Sequence, residues 1–149
     1  MAEILESYRL PLDTTAFLKD KILPKCAIED SIAGQIRLLL LTSFDECSFD
    51  PEFGCEIWEH EFEHSQISKI WIDRMSLQMT TLLQKYEQRL MNIVIKAQIT
   101  EKEFKSDNTN QSTVRLQKCL TINLNANLTS TNEPFYFKDS IFISPFSTD

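Results

Sequence analysis

The chain holds two histidines, and both fall in one heptapeptide, Trp58-Glu59-His60-Glu61-Phe62-Glu63-His64. His60-Glu61-x-x-His64 fits the pattern in which two imidazoles share a helix face, bind one zinc ion and flank a glutamate that activates water. That chemistry needs a third protein ligand, and no further histidine exists to supply one. The positions three and six residues beyond His64 hold Ile67 and Ile70, where an extended zinc motif would place Gly and His. Glu59 and Glu63 add charge beside both imidazoles, whereas a zinc helix packs an apolar face into the floor of a cleft. Five-residue patterns recur by chance, so the sequence reads this segment as an acidic connector ahead of a long helix.

Other residues invite chemical readings. Cys47, Cys55, His60 and His64 could form a zinc knuckle, although seven residues between the cysteines and three between the histidines match a structural site only loosely. A buried free thiol is the commoner fate of such a cysteine. Glu52, Glu56 and Glu87 are acids from which a glycoside-cleaving pair could be drawn, but sequence cannot set the separation that chemistry needs. There is no G-x-S-x-G nucleophile elbow. The remaining constellation is Tyr86-Glu87-Gln88-Arg89-Leu90, an acid and an arginine two apart where a helix gives way to a strand. Such a pair suits a charge-assisted fork that fixes a junction or grips a partner; the plainer reading is an exposed ion pair of small energetic consequence.

The elements that must position these residues follow from periodicity. Over 149 residues, 42% are hydrophobic and 25% charged, enough for one domain with a core. The net charge of −7 disfavours duplex nucleic acid, where counterion release requires clustered Lys and Arg, and an anionic membrane surface. Protein partners are the expectation. MAEILESYRLPLD has no basic start before an apolar run, and Leu38-Leu39-Leu40-Leu41 is too short to span a bilayer. A cytoplasmic protein with no cofactor is therefore expected, with Cys26, Cys47, Cys55 and Cys119 as free thiols.

Residues 1–29 read as an irregular, partly helical lead-in broken by Pro11 and Pro24, ahead of a single domain over 30–149. Asp30 is placed to cap a helix whose Ile32, Ile36, Leu39 and Leu40 face the core. Thr42-Ser43 ends it. Asp50-Pro51 then starts a turn, with Phe53 following and Gly54 expected at positive φ. Ile67, Trp71, Met75, Met79, Leu82 and Tyr86 recur at steps of three or four, predicting a helix over about 66–86 capped by Ser65 or Ser68. Ile93, Ile95, Ala97 and Ile99 then switch to a period of two. The polar run 101–113 reads as a long exposed loop. Leu120, Ile122, Leu124, Ala126 and Leu128 alternate with Thr121, Asn123, Asn125 and Asn127, a strand with one buried and one wet face. Asn132-Glu133-Pro134 turns into a last strand, Phe135 to Ile143. Helices followed by a three-stranded antiparallel sheet define an α+β fold.

Three segments together resemble one family. Ser31-Ile32-Ala33-Gly34-Gln35-Ile36-Arg37-Leu38-Leu39-Leu40-Leu41-Thr42 resembles a helix of the form S-I-x-x-x-I/L-x-x-L-L-x-T. Phe49-Asp50-Pro51-Glu52-Phe53-Gly54-Cys55 resembles an N-P-x-F-G-C element, and Tyr86-Glu87-Gln88-Arg89-Leu90 resembles Y-E-P-R-L. The ordered set is similar to the baseplate wedge proteins of contractile phage tails and their type VI secretion counterpart, TssE, most of all the Bacteroidetes branch. The resemblance implies a non-enzymatic structural subunit that assembles with TssF/TssG-like and TssK-like wedge partners and presents its sheet to the first sheath ring. It also implies that Glu87 and Arg89, with Tyr86 beside them, serve assembly. Gln88 departs from the family's proline. Some members are labelled lysozymes; the residues themselves give that label no independent support. The competing reading is a small hydrolase, either a zinc protease through His60, Glu61 and His64 or a muramidase.

Overall fold

The computed structural model describes residues 7–58, 69–106 and 113–142. Two short strands, β1 (Ser7–Tyr8) and β2 (Lys25–Cys26), pair antiparallel around helix α1 (Thr14–Asp20). Asp13 caps α1 by accepting a hydrogen bond from the Ala16 amide at 2.9 Å, yet no residue of α1 is buried. Helix α2 (Ile28–Leu41) begins two residues before Asp30, with Ala27 at its cap and no side-chain bond there. Glu29 and Asp30 instead occupy the first turn, where carboxylates favour the exposed amides and the helix dipole. Ile32, Ile36, Leu39 and Leu40 are buried, as the spacing predicts.

A single 3-10 turn, Glu56–Trp58, follows the loop after α2. Helix α3 (Lys69–Tyr86) buries Met75, Met79, Leu82 and Leu83. The expected stripe holds, and Leu83 joins it because an 18-residue helix packed against a sheet buries more than one narrow row. Ser65, Ser68 and Ile67 lie outside the described residues.

The sheet is β3 (Leu90–Ser106), β4 (Thr113–Leu128) and β5 (Pro134–Phe142), in that order and fully antiparallel. Asn92, at φ 54°, sits where the β3–β4 register shifts between Met91 and Val94, a bulge at a residue type that tolerates the left-handed region. The polar run is not a loop over most of its length: pairing continues from Glu101↔Lys118 to Ser106↔Thr113. An antiparallel ladder is held by main-chain hydrogen bonds, so polar side chains do not end it, and an opposite-charge pair such as Glu101 and Lys118 favours the register.

On β4, Leu120, Ile122, Leu124, Ala126 and Leu128 point into the core. The opposite face is wet at Asn125 but not throughout, since Cys119 and Thr121 are buried and Thr121 shares a hydrogen bond with the Ser140 hydroxyl at 3.1 Å. Helices α2 and α3 and the sheet close over a hydrophobic cluster. Arg37 ties α2 to β5, its Nε donating to Asp139 at 3.0 Å while its guanidinium lies 5.7 Å from the Phe137 ring centre.

Candidate functional site: the junction of α3 and β3

Helix α3 ends at Tyr86, and the chain turns through Glu87-Gln88-Arg89 into β3. The Glu87 amide still bonds to the Leu83 carbonyl at 2.8 Å, while the Leu90 amide reaches back to the Glu87 carbonyl at 3.3 Å. That four-residue turn places Gln88 at its second position, the one where proline is favoured in common turns. The turn thus closes with glutamine in that place, and Thr129 supports it. Its amide bonds to the Arg89 carbonyl at 2.9 Å and its hydroxyl to the Gln88 carbonyl at 3.4 Å.

Glu87 is only 2% exposed, although it is an acid at a helix end. Arg89 compensates it with a two-pronged fork, Nε to Oε1 at 2.7 Å and Nη2 to Oε2 at 2.6 Å. The Arg89 amide adds a third bond to Oε1 at 3.2 Å. The remaining guanidinium nitrogen, Nη1, donates to the buried hydroxyl of Ser31 on α2 at 3.0 Å. Hydrogen bonding to Glu87 raises the Arg89 pKa above its ordinary value, and partial burial acts in the opposite direction. The guanidinium is held in one orientation with about a third of the side chain (34%) open to solvent. A fixed, partly exposed arginine is suited to gripping a carboxylate or carbonyl of another chain at little entropic cost.

Tyr86 joins the site to the loop after α2. Its hydroxyl donates to Asp50 Oδ2 at 2.9 Å, and its ring meets Phe53 edge-on with centres 5.1 Å apart. Lys85 pairs with Glu52 in the same loop and lies 4.8 Å from the Tyr86 ring centre. The loop itself is closed by Asp45 N–Pro51 O at 2.9 Å and Phe53 N–Asp50 O at 3.0 Å, and Gly54 adopts φ +138°. Beyond it, the Cys55 amide bonds to the Thr42 carbonyl at 2.9 Å. The three segments singled out in the sequence therefore meet: Ser31 from the first and Asp50 and Phe53 from the second both touch residues of the third. Tyr86→Phe removes one hydrogen bond and keeps the ring contact, so denaturant unfolding should show a loss of about 1 kcal/mol.

Sequence reasoning finds Glu87, Arg89 and Tyr86 but not the contacts made by Ser31 and Asp50. A small polar residue directly beside the apolar stripe that Ile32 opens is the available signal for Ser31. A second buried acid also escapes a role. Glu56, 6% exposed, receives Arg74 Nη2 at 2.8 Å and Gln78 Nε2 at 3.2 Å, which fastens the 3-10 turn to α3. The three acids weighed for glycoside cleavage, Glu52, Glu56 and Glu87, thus each lie against a cation, Lys85, Arg74 or Arg89.

His60, Glu61 and His64 lie outside the described residues, so the zinc readings cannot be placed around them. Of their companions, Cys55 is buried with its thiol donating to the Leu40 carbonyl at 3.2 Å, and Cys47 is half-buried. Among the described residues no cluster of three His, Cys, Asp or Glu side chains could hold a metal ion, and no helix is long and apolar enough to cross a membrane.

No curated protein matches the chain. Among solved structures, it shares its fold with a proposed tail lysozyme from Geobacter sulfurreducens, with a TM-score of 0.54 and 22% identity over 83% of this chain and 96% of that one. The family model of baseplate wedge protein gp25 matches residues 26–133, a span that takes in Ser31, the Asp50–Gly54 loop and the Glu87–Arg89 fork. With those segments packed on one another at the α3–β3 junction, the chain belongs to the baseplate wedge protein gp25 family.

Proposed function

We propose that this protein is a non-enzymatic baseplate subunit of a contractile injection machine of the type VI secretion kind, equivalent to TssE and working in the cytoplasm. It joins TssF/TssG-like and TssK-like wedge subunits to the first sheath ring and helps sheath assembly begin. Its family membership supports the baseplate role. The observation that carries the assembly reading is the Arg89 guanidinium, fixed by buried Glu87 and by Ser31 yet open on one side. The order β3-β4-β5 adds support, because the outer edges of β3 and β5 have no strand partner among the described residues and can receive an added strand.

The test is a Glu87→Gln/Arg89→Met variant, which removes the charged pair without stranding either charge. It is expected to keep its circular dichroism spectrum yet lose co-purification with the wedge subunits by tenfold or more. Full complex formation by a folded variant would count against the assembly role. A hydrolase reading makes the opposite demand, that the purified protein release product from peptidoglycan or peptide substrates.

A further inference from the structure

The outer face of α2 carries an exposed apolar surface, which meets the sheet at the Arg37–Asp139 pair. Two open cavities flank it and share Leu38, one of about 450 Å³ toward the loop after α2 and one of about 680 Å³ toward the N-terminal segment. Around them Leu38 is 45% exposed, Leu41 62% and Phe49 89%. A single exposed leucine is ordinary, but an apolar cluster continuous with two cavities marks an interaction surface. Gly34 shapes one wall: a Cβ there would stand 3.0 Å from Leu10 Cβ, so the glycine lets the N-terminal segment lie close on α2.

Charge and backbone chemistry select the occupant. In a chain of net charge −7, the larger cavity is lined by two arginines, Arg9 and Arg37, and one acid, Asp30. Asp139 pairs with Arg37, and the one acid of the smaller cavity, Glu46, accepts from the Ser43 amide, so among the described residues Arg9 is the cation left to meet a partner's acid. Arg37 Nε donates to Asp139, and its terminal nitrogens donate no hydrogen bond among the described residues. The Arg9 guanidinium makes none there either. Such a site favours an acidic side chain set among apolar ones. The main-chain groups of α2 are satisfied within the helix, so its face offers no ladder to an extended peptide; stripe-on-stripe packing is what remains. A second copy would bring another net −7 to the same surface, which disfavours self-association.

Resting on the baseplate reading above, we propose that this groove receives an amphipathic helix of another wedge subunit. Its apolar stripe lies on Leu38, Leu41 and Phe49, and an acidic residue of that helix meets Arg9. The 14 residues of α2 span about 21 Å, room for roughly four turns of a partner helix.

A Leu41→Ser/Phe49→Ser variant, altered only at exposed positions, tests this with purified wedge subunits. Its melting temperature should match the parent while its affinity for the wedge falls by about tenfold or more, as expected for central apolar anchors. Arg9→Glu should weaken binding too, with a difference that shrinks as salt is raised. A photo-crosslinking residue at position 41 should then couple to a helix of the wedge partner. Affinity within twofold of the parent, or a crosslink to a second copy or to this chain's own residues, overturns the proposal. If the parent chain forms no complex with wedge subunits, the baseplate reading fails and takes the groove with it. Loss of binding in the Glu87→Gln/Arg89→Met variant but not in the Leu41→Ser/Phe49→Ser variant overturns the groove alone.

Discussion

Arg89→Met is expected to destabilise the protein by about 3–5 kcal/mol, because it strands a buried carboxylate. Glu87 is 2% exposed and accepts three bonds from Arg89, two from the guanidinium and one from the amide. Only the amide bond survives the substitution. At this chain length the loss corresponds to a fall in melting temperature of roughly 6–20 °C. The intact pair is a different matter, since burying two charges costs nearly as much as their attraction returns. Glu87→Gln/Arg89→Met should therefore be far more stable than the sum of its single variants implies, with a coupling of about 1–3 kcal/mol in a double-mutant cycle. The neutral side-chain amide that Glu87→Gln introduces can still accept from the main chain. Arg89→Lys keeps the charge but loses the planar fork and the Ser31 bond, so it should fall between parent and Arg89→Met. Strictly additive losses would show that solvent, rather than Arg89, satisfies Glu87. On the proposed assembly role stability and assembly should separate: the double variant is expected to recover much of the first and none of the second.

What the sequence reveals about this site depends on distance along the chain. Glu87 and Arg89 are two residues apart, and the change from a period of three or four to a period of two falls between them and Ile93, so the junction and its ion pair are both legible. Ser31 and Asp50 bond to the same junction from 58 and 36 residues away, and no local pattern reports such a contact. The shared family segments hint that these stretches act together, but only folding brings them into contact. The errors in the elements have equally local causes. Asp30 draws the expected helix start because it is the stronger capping residue, whereas α2 begins after Ala27, which makes no side-chain cap. The run 101–106 reads as a loop because its sequence loses hydrophobic alternation, Phe104 standing alone among charged and polar residues, while the main-chain ladder continues unchanged. Buried Thr121 shows the converse limit: alternation assigns a face, and only the neighbouring Ser140 hydroxyl shows how a polar group on it is satisfied.

Gly54→Ala should cost about 3 kcal/mol or more, although an alanine for glycine exchange at a compatible site usually stabilises by about 0.4–1 kcal/mol. Two features set its sign. The backbone at residue 54 has φ +138°, a region that alanine rarely adopts, and a Cβ there would lie 2.6 Å from the Ser43 carbonyl oxygen and 2.7 Å from that of Thr42. Neither oxygen can swing aside as a flexible side chain could, and the Thr42 oxygen already accepts the Cys55 amide at 2.9 Å. Relief therefore requires the loop to move, which withdraws Phe53 from Tyr86 and strains the Tyr86–Asp50 bond. Gly34→Ala is the milder comparison: it is helical, and its Cβ would stand 3.0 Å from Leu10 Cβ and 3.4 Å from the Leu10 carbonyl oxygen, so the N-terminal segment need give by only a few tenths of an ångström. There a gain in helix propensity of about 1 kcal/mol offsets the crowding, and stability should stay near that of the parent. Urea unfolding of both variants separates the cases. A Gly54→Ala protein as stable as the parent would mean that the loop is not held by the Thr42–Cys55 contact. On the proposed assembly role, a destabilised but folded one should also bind wedge subunits less well, because Tyr86, next to the fork, rests on that loop.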